Sequence, residues 1–404
     1  MANNRGSVEK RGDSYRIIAS VGYTTDGRKL KKTMTWTPPE GLTPKQIQTE
    51  LERQRVLFLE RVEHGLVLDN NIPFEEFAAK WLTDYSEKQH KAKTIRSNKQ
   101  ALERINPAIG HIKLSKLQPH HIVEFVNQLA TETNKRSGEL ISPATQMNIF
   151  RVLSSILSTA VDWQIITDNP CARVKPPKLR REQLPRVFDD EQTVRLLEAI
   201  EGEQPKYRLA IRMLLFGGMR RGELVALQWN DIDFSNGTVS ITKAIQYTPE
   251  KGTYLDTPKN ANSNRVIKIP QPLVAELQEY KSAQDDYAAS LGDAWHGENF
   301  VFTQDNGEVM HPDTLTKWFN KFIKHHNATH TEDTEKLPNV PIHGLRHTSA
   351  TLQILNGVNP RAVAGRLGHA NTTTTLNIYA HAVKTADAMA SDALELVLLK
   401  PKKD

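Results

Sequence analysis

The spacing of apolar residues along the chain changes period twice, and each change marks a different kind of structure. Residues 14–23 alternate partly between apolar and polar, a Thr25-Asp26-Gly27 turn follows, and residues 28–36 run on in the same manner. Two strands joined by a turn are predicted there. After Pro44 the period lengthens: Ile47, Leu51, Val56 and Leu59 fit a helix reaching about residue 64. From 72 to 172 the pattern is helical throughout, with helices predicted at 74–89, 94–105, 119–131 and 142–163. Ile122, Phe125, Val126 and Leu129 make a clear helical stripe in the third, and Ser142-Pro143 supplies the fourth with a cap and a first-turn proline.

The stretch NPCARVKPPKLRREQLPR, residues 169–186, carries four prolines and reads as a basic linker. Beyond it, helices are predicted at 190–201, 207–216, 271–290, 313–325 and 348–356, interrupted by a strand-rich patch at 237–269. No internal repeat appears. The predicted architecture is therefore multidomain and mainly α. It comprises a small N-terminal β-sheet plus helix (1–66), a helical bundle (72–172), a linker (173–186) and a mixed α+β C-terminal domain (187–404).

Composition narrows the class. With 38% hydrophobic and 25% charged residues the 404-residue chain reads as soluble and globular. No apolar run approaches the ~18 residues that span a bilayer, and MANNRGSVEKRGDSYR lacks the apolar core of a signal peptide. A cytoplasmic protein without membrane contact is expected. Cys171 is the single cysteine, which excludes an intramolecular disulfide and a thiolate zinc cluster. His120–His121 and His325–His326 lack the HExxH setting of a metal site, so no metal is expected. Charge is uneven: residues 1–186 hold 30 Lys+Arg against 20 Asp+Glu, and the remainder 23 against 27. The basic excess lies in the N-terminal half, where a nucleic-acid-binding surface would need it.

Four short motifs in the C-terminal half carry candidate chemistry: LLFGGMRRGELVALQWNDID, TPKNANSNRVIKIP, PIHGLRHTSATL and LGHANTTTTLNIYAHA. Between them they bring Arg220, Lys259, His343, Arg346, His369 and Tyr379. Two guanidiniums match the non-bridging oxygens of a phosphodiester. A phenol can attack phosphorus, with imidazoles and an ammonium moving protons. Read singly, each residue has a plainer account. Arg220 and Glu223, three residues apart, would form a helical salt bridge. Lys251 and Lys268 rival Lys259, Arg221 rivals Arg220, His347 suits packing, and His369 would cap a helix.

In their order and spacing, with His369 ten positions before Tyr379, these motifs resemble the catalytic domain of the tyrosine recombinases, the phage-integrase family, over residues 185 to 395. The resemblance implies that Tyr379 attacks the scissile phosphate to give a 3′-phosphotyrosine and a free 5′-hydroxyl. Arg220 and Arg346 would bind the phosphate, with Glu223 supporting the arginine. Lys259 would protonate the leaving oxygen, His343 would accept and return the tyrosine proton, and His369 would donate a hydrogen bond to the phosphate. Where the family usually has threonine, this chain has Gly217. No cofactor is implied, since the cations supply the charge that magnesium supplies in many nucleases, and no P-loop appears for ATP.

The first segment resembles the family's arm-type DNA-binding domain, with Lys29, Lys31 and Lys32 as candidate contacts, although lysines also guard edge strands. The segment INPAIGHIKLSKLQPHHI resembles the core-binding domain, with Lys91, Lys93, Arg96 and Lys99 as candidates. Arg180 and Arg181 join them from the linker, which would let the two halves close on DNA. The implied partners are double-stranded DNA at core and arm sites and a homotetramer on that DNA, with room for a DNA-bending or directionality factor. A tail helix at 387–399 would pack on a neighbouring protomer or on its own domain. The expected function is integration and excision of a phage or integrative mobile element. A type IB topoisomerase and a DNA-binding regulator on a recombinase fold are the alternatives.

Overall fold

The computed structural model describes residues 6–23, 26–63, 71–134, 137–178, 186–256 and 264–368. The chain divides into two units, residues 1–182 and 183–404. Helices dominate both, with small antiparallel sheets. No helix among the described residues is long and apolar enough to cross a membrane.

The first unit opens with an antiparallel meander, β1 (Ser7–Arg11), β2 (Ser14–Tyr23) and β3 (Lys29–Trp36). The sequence pattern predicts the second and third strands only. In β1, SVEKR, Val8 alone is apolar, and the strand exists because β2 pairs with it, Val8 opposite Ile17. Helix α1 (Pro44–Glu63) starts at a capping box in which Thr43 and Gln46 exchange hydrogen bonds. Its Phe58 is buried with Ile17 and Ala19 from one face of the sheet.

A helical bundle with its own core follows. Helix α2 (Phe74–Trp81) runs through a π turn at Leu82–Ser86 into α3 (Glu87–Gln89). Ser86, in the widened turn, is buried and accepts a 2.9 Å bond from the Asn98 amide. Helix α4 (Ala92–Ile109) extends past the predicted end at residue 105 and contains Pro107. The ring forfeits one backbone bond, but Ile105 and Ile109, four apart on one face, are both buried and hold the turn. Helices α5 (Pro119–Thr131) and α6 (Pro143–Asp162) follow, the latter capped by Ser142, which accepts from the Thr145 amide at 3.1 Å. Phe74, Phe77, Trp81, Ile122 and Leu153 form the centre of this core.

The second unit begins with α7 (Asp190–Ala199), α8 (Pro205–Gly217) and the short α9 (Arg221–Val225). Strands β4 (Ile232–Asp233), β5 (Thr238–Ile241), β6 (Ala244–Thr248), β7 (Gly252–Asp256) and β8 (Arg265–Lys268) come next. They form a sheet in the order β4-β5-β8 and a separate β6–β7 hairpin. Helices α10 (Gln271–Leu291), α11 (Pro312–Thr329), α12 (Gly344–Leu355) and α13 (Pro360–Leu367) complete the described part. Helix α8 buries Leu209, Ala210, Ile211, Met213 and Leu214 and packs against α10 and α12, the position of a helix that is apolar on most sides. The sequence pattern misses α9 and α13, which are too short for a periodic stripe. The tail helix expected at 387–399 lies outside the described residues.

In the bundle, the buried Trp81 indole donates to Thr159 Oγ1 at 3.0 Å. Thr159→Val keeps the volume and removes the acceptor, leaving a buried N–H unpaired at a cost of about 1–3 kcal/mol. Thermal unfolding is expected to show a lower midpoint for Thr159→Val than for Thr159→Ser, which keeps the hydroxyl. Equal midpoints would show that the hydrogen bond contributes nothing.

Candidate active site

The motif GGMRRGE is a helix end, a tight turn and a helix start. Helix α8 stops at Gly218, which has φ of 57°, the left-handed conformation that glycine adopts without strain. A Cβ there would also lie 2.3 Å from Leu367 Cδ2, so the close approach of α13 requires glycine a second time. At Gly217 a Cβ would meet Met219 Cε at 2.7 Å and Ile267 Cδ1 at 2.9 Å. Those two side-chain ends fill the space that a threonine would take.

Arg220 follows as the residue preceding α9. The Glu223 carboxylate accepts its backbone N–H at 2.9 Å and its Nη1 at 2.6 Å. This is the salt bridge that the spacing predicts, here at a helix N-terminus where a carboxylate is favoured. The Arg220 side chain remains 40% exposed, while that of Glu223 is 3% exposed. Arg221 points elsewhere, bonding Asp313 at 2.9 Å and Thr316 at the start of α11, so it does not compete with Arg220 for the site.

Arg346, in the first turn of α12, is buried. Its Nη1 donates to the Gly218 carbonyl and its Nη2 to the Leu367 carbonyl, both at 2.7 Å. Arg220 Nη2 donates to the Gly368 carbonyl at 3.3 Å, and Arg265 Nε donates to the Arg366 carbonyl at 2.7 Å. Three consecutive carbonyls at the end of α13 thus accept from three different arginines. Helix C-termini leave their last carbonyls without intrahelical partners and carry a partial negative charge, which makes them a suitable support for cations. Arg366 adds bonds to the Phe216 and Lys268 carbonyls at 2.7 and 2.8 Å.

Charge in this cluster is unbalanced. Glu223 is the carboxylate shared by Arg220 and Arg265, with Arg346 close by. Burial alone would raise the Glu223 pKa, but the Arg265 hydrogen bond and charge, with those of Arg220, bring it below the usual carboxylate value. Burial and the neighbouring Arg220 lower the Arg346 pKa to about 9, which still leaves it charged at neutral pH. Several guanidiniums around one carboxylate form a preorganised anion site.

His343 occupies the position just before α12, three residues before Arg346, and keeps solvent access. The protein around it still lowers its pKa through desolvation, reinforced by the charges of Arg346 and Arg220. A neutral imidazole results, able to accept a proton. His347 stacks edge-on against it, with ring centroids 5.0 Å apart, and its Nδ1 is buried with no hydrogen-bond partner among the described residues.

Of the six motif residues, the structure brings together Arg220, His343 and Arg346, with Glu223 beside them. Lys259, His369 and Tyr379 lie outside the described residues. Strands β7 and β8 flank the Lys259 segment, and Gly368 immediately precedes His369. Sequence reasoning passed over Arg265, although the signal was present. In β8 Val266 is 65% exposed and Ile267 is buried, so Arg265 occupies the inward face where an arginine needs partners.

The candidate DNA contacts are dispersed. Lys31 pairs with Ser20, and Lys32 pairs with Ala19, which is buried against α1. Lys29 and Lys31 are therefore on the open face of the sheet and Lys32 on the opposite one. On α4, Lys93, Arg96 and Lys99 lie opposite the buried stripe of Asn98, Ala101, Leu102 and Ile105. Lys99 forms a 3.0 Å ion pair with Glu87, and Lys91 precedes the helix. Arg180 and Arg181 lie outside the described residues.

His347 has a consequence for pH. Burial, with the charges of His343 and Arg346, lowers its pKa from 6.5 to about 4. The unfolded chain therefore binds more protons between these values, and stability rises with pH across the interval. The His347 contribution is full above 6.5 and is lost as the pH falls from there through about 4. His343 adds in the same direction. Melting temperatures at pH 5 and pH 7.5 are expected to differ less in His347→Gln than in the wild type. An unchanged difference would show that His347 is not held neutral by the fold.

Residues 186–385 match the phage integrase family, and residues 73–130 match the N-terminal SAM-like domain of phage integrases. A protein described as tyrosine recombinase XerC-like, from Caldanaerobacter subterraneus subsp. tengcongensis, is 26% identical, covering 98% of this chain and 99% of its own. The ICEBs1 integrase of Bacillus subtilis is 28% identical over 62% of this chain and 65% of its own. Among solved structures, the Tn1549 transposon integrase in complex with transposon right end DNA shares the fold. It has a TM-score of 0.67 at 24% identity, covering 80% of this chain and 99% of that one. A lambda integrase tetramer bound to a Holliday junction has a TM-score of 0.53 at 15% identity, covering 94% and 96%. With residues 186–385 and 73–130 matching two domains of one family, the chain belongs to the phage integrase family and is a tyrosine site-specific recombinase.

Proposed function

We propose that this recombinase moves an integrative element or phage genome, with Arg220, Arg346 and His343 at the scissile phosphate and Tyr379 as nucleophile. The observation that carries this reading is the cluster of guanidiniums on helix-end carbonyls, with more positive charge than Glu223 balances. A phosphodiester brings the missing negative charge. As the phosphorus becomes pentacoordinate, that charge grows on the non-bridging oxygens, and the fixed guanidiniums oppose it without having to reorganise.

In the cleavage step, Tyr379 Oη bonds to phosphorus and the bond from phosphorus to the 5′-oxygen breaks. His343, kept neutral by desolvation and by the charges of Arg346 and Arg220, takes the phenol proton. Lys259 gives a proton to the departing 5′-oxygen, and His369 donates a hydrogen bond to the phosphate. Resealing reverses each transfer with the 5′-hydroxyl of the partner strand. The phosphotyrosine conserves the bond energy, so the chemistry requires no nucleotide. Motif spacing and family membership support the roles of Lys259, His369 and Tyr379.

The same reading divides the DNA-binding work. The small sheet with α1 (1–66) is an arm-type module, contacting DNA through the face that carries Lys29 and Lys31. The bundle (72–172) binds the core site through Lys91, Lys93, Arg96 and Lys99, the linker (173–186) adds Arg180 and Arg181, and 187–404 is catalytic. The lambda integrase on a Holliday junction is a tetramer, and a homotetramer on DNA is the proposed assembly here.

The test is covalent trapping. Wild-type protein is incubated in EDTA with nicked duplexes drawn from the ends of the element that encodes it. The wild type is expected to give an SDS-resistant adduct, and Tyr379→Phe to bind the same duplexes without forming one. An adduct from Tyr379→Phe would assign the nucleophile to another residue.

A further inference from the structure

Arg265 is the first residue of β8, paired with the buried Ile241 across the sheet. Its ion pair with Glu223 is almost free of solvent, the two side chains being 6% and 3% exposed. A guanidinium is expensive to bury unless its donors are used, and here they tie two other elements together. Nε donates to the Arg366 carbonyl at the end of α13 at 2.7 Å, and Nη2 donates to Glu223 Oε2 at 2.8 Å. The other carboxylate oxygen, Oε1, receives Arg220 Nη1 at 2.6 Å. Glu223 thus stands between two arginines, one buried and one open to solvent.

We propose that Arg265 is a positioning residue for DNA cleavage. It fixes the plane of the Glu223 carboxylate and the end of α13, and both of these hold Arg220: Glu223 through Nη1, and the Gly368 carbonyl through Nη2. Without it, Glu223 is gripped from the Arg220 side alone and its carboxylate can turn. The Arg220 guanidinium then loses its fixed orientation while keeping its charge. Lysine cannot replace Arg265. A single ammonium lacks the planar fork that reaches a carboxylate and a carbonyl in different directions.

The inference rests on Arg220 being a phosphate ligand, and the experiment separates the two claims. Full-length wild type, Arg265→Lys and Arg220→Ala are given nicked duplexes carrying either a normal scissile phosphate or a methylphosphonate, in which a neutral methyl replaces one charged oxygen. Single-turnover adduct formation is measured on each. The ratio of the two rates within one protein sample cancels any unfolded fraction. Arg265→Lys is expected to slow cleavage of the phosphate by about 10- to 100-fold, less than the 10²–10³ of a directly acting donor. It should also lower the phosphate-to-methylphosphonate ratio in the direction of Arg220→Ala. In the double variant, Arg265→Lys should add less than about threefold to the defect of Arg220→Ala, the non-additivity of residues that act through one another. A wild-type ratio in Arg265→Lys, or effects that multiply in the double variant, would overturn the positioning role. A wild-type ratio in Arg220→Ala would overturn the phosphate assignment, and this inference with it.

Discussion

The arrangement of the active site depends on one buried carboxylate. Glu223 is 3% exposed, and an isolated carboxylate at that depth would protonate or leave the interior. It remains ionised because Arg220 and Arg265 hold it from two sides and the Arg220 backbone N–H holds it from a third direction. The dependence is mutual. Burial first, and then the charge of Arg220, lower the Arg346 pKa, while Glu223 acts in the opposite direction without cancelling them. What remains is a standing demand for negative charge at a place where a phosphodiester would sit.

Backbone carbonyls complete the support. Helices α8 and α13 both end at left-handed glycines, Gly218 and Gly368, and carbonyls at both ends accept from arginines. Arg346 joins the two ends by bonding the Gly218 and Leu367 carbonyls. These acceptors carry no net charge. They orient the guanidiniums and complement their sign without neutralising them, as further carboxylates would. A site that must attract an anion yet keep its cations fixed is well served by this division. Desolvation lowers the His343 pKa first, and the charges of Arg346 and Arg220 add to it.

Much of this was legible in the sequence. Long elements declared themselves by period: α5, α6, α10 and α11 fall within a few residues of their expected limits, because fifteen or so residues of apolar stripe outweigh local ambiguity. Boundaries failed where tertiary contacts overrode local rules, as at Pro107, which lies inside α4 because Ile105 and Ile109 are both buried. The strand β1 and the helices α9 and α13 were missed since five to eight residues carry too little periodicity, and each is stabilised by what it packs against. Arg220, Glu223, His343 and Arg346, singled out on motif spacing and on the resemblance those motifs support, lie near one another in the structure.

Sequence alone pointed to the family, to the long elements and to the candidate reacting groups, because these depend on residue type and local spacing. Tertiary structure decided which groups share a carboxylate. Arg265 is 42 positions from Glu223, and Arg346 is 128 positions from the Gly218 carbonyl it bonds. It also decided which side of the sheet is covered: Lys32, not Lys31, pairs with Ala19, which is buried against α1. No period in the chain encodes such pairings. They arise when helix ends and a strand converge on one buried charge, and that convergence is set by the packing of the whole core.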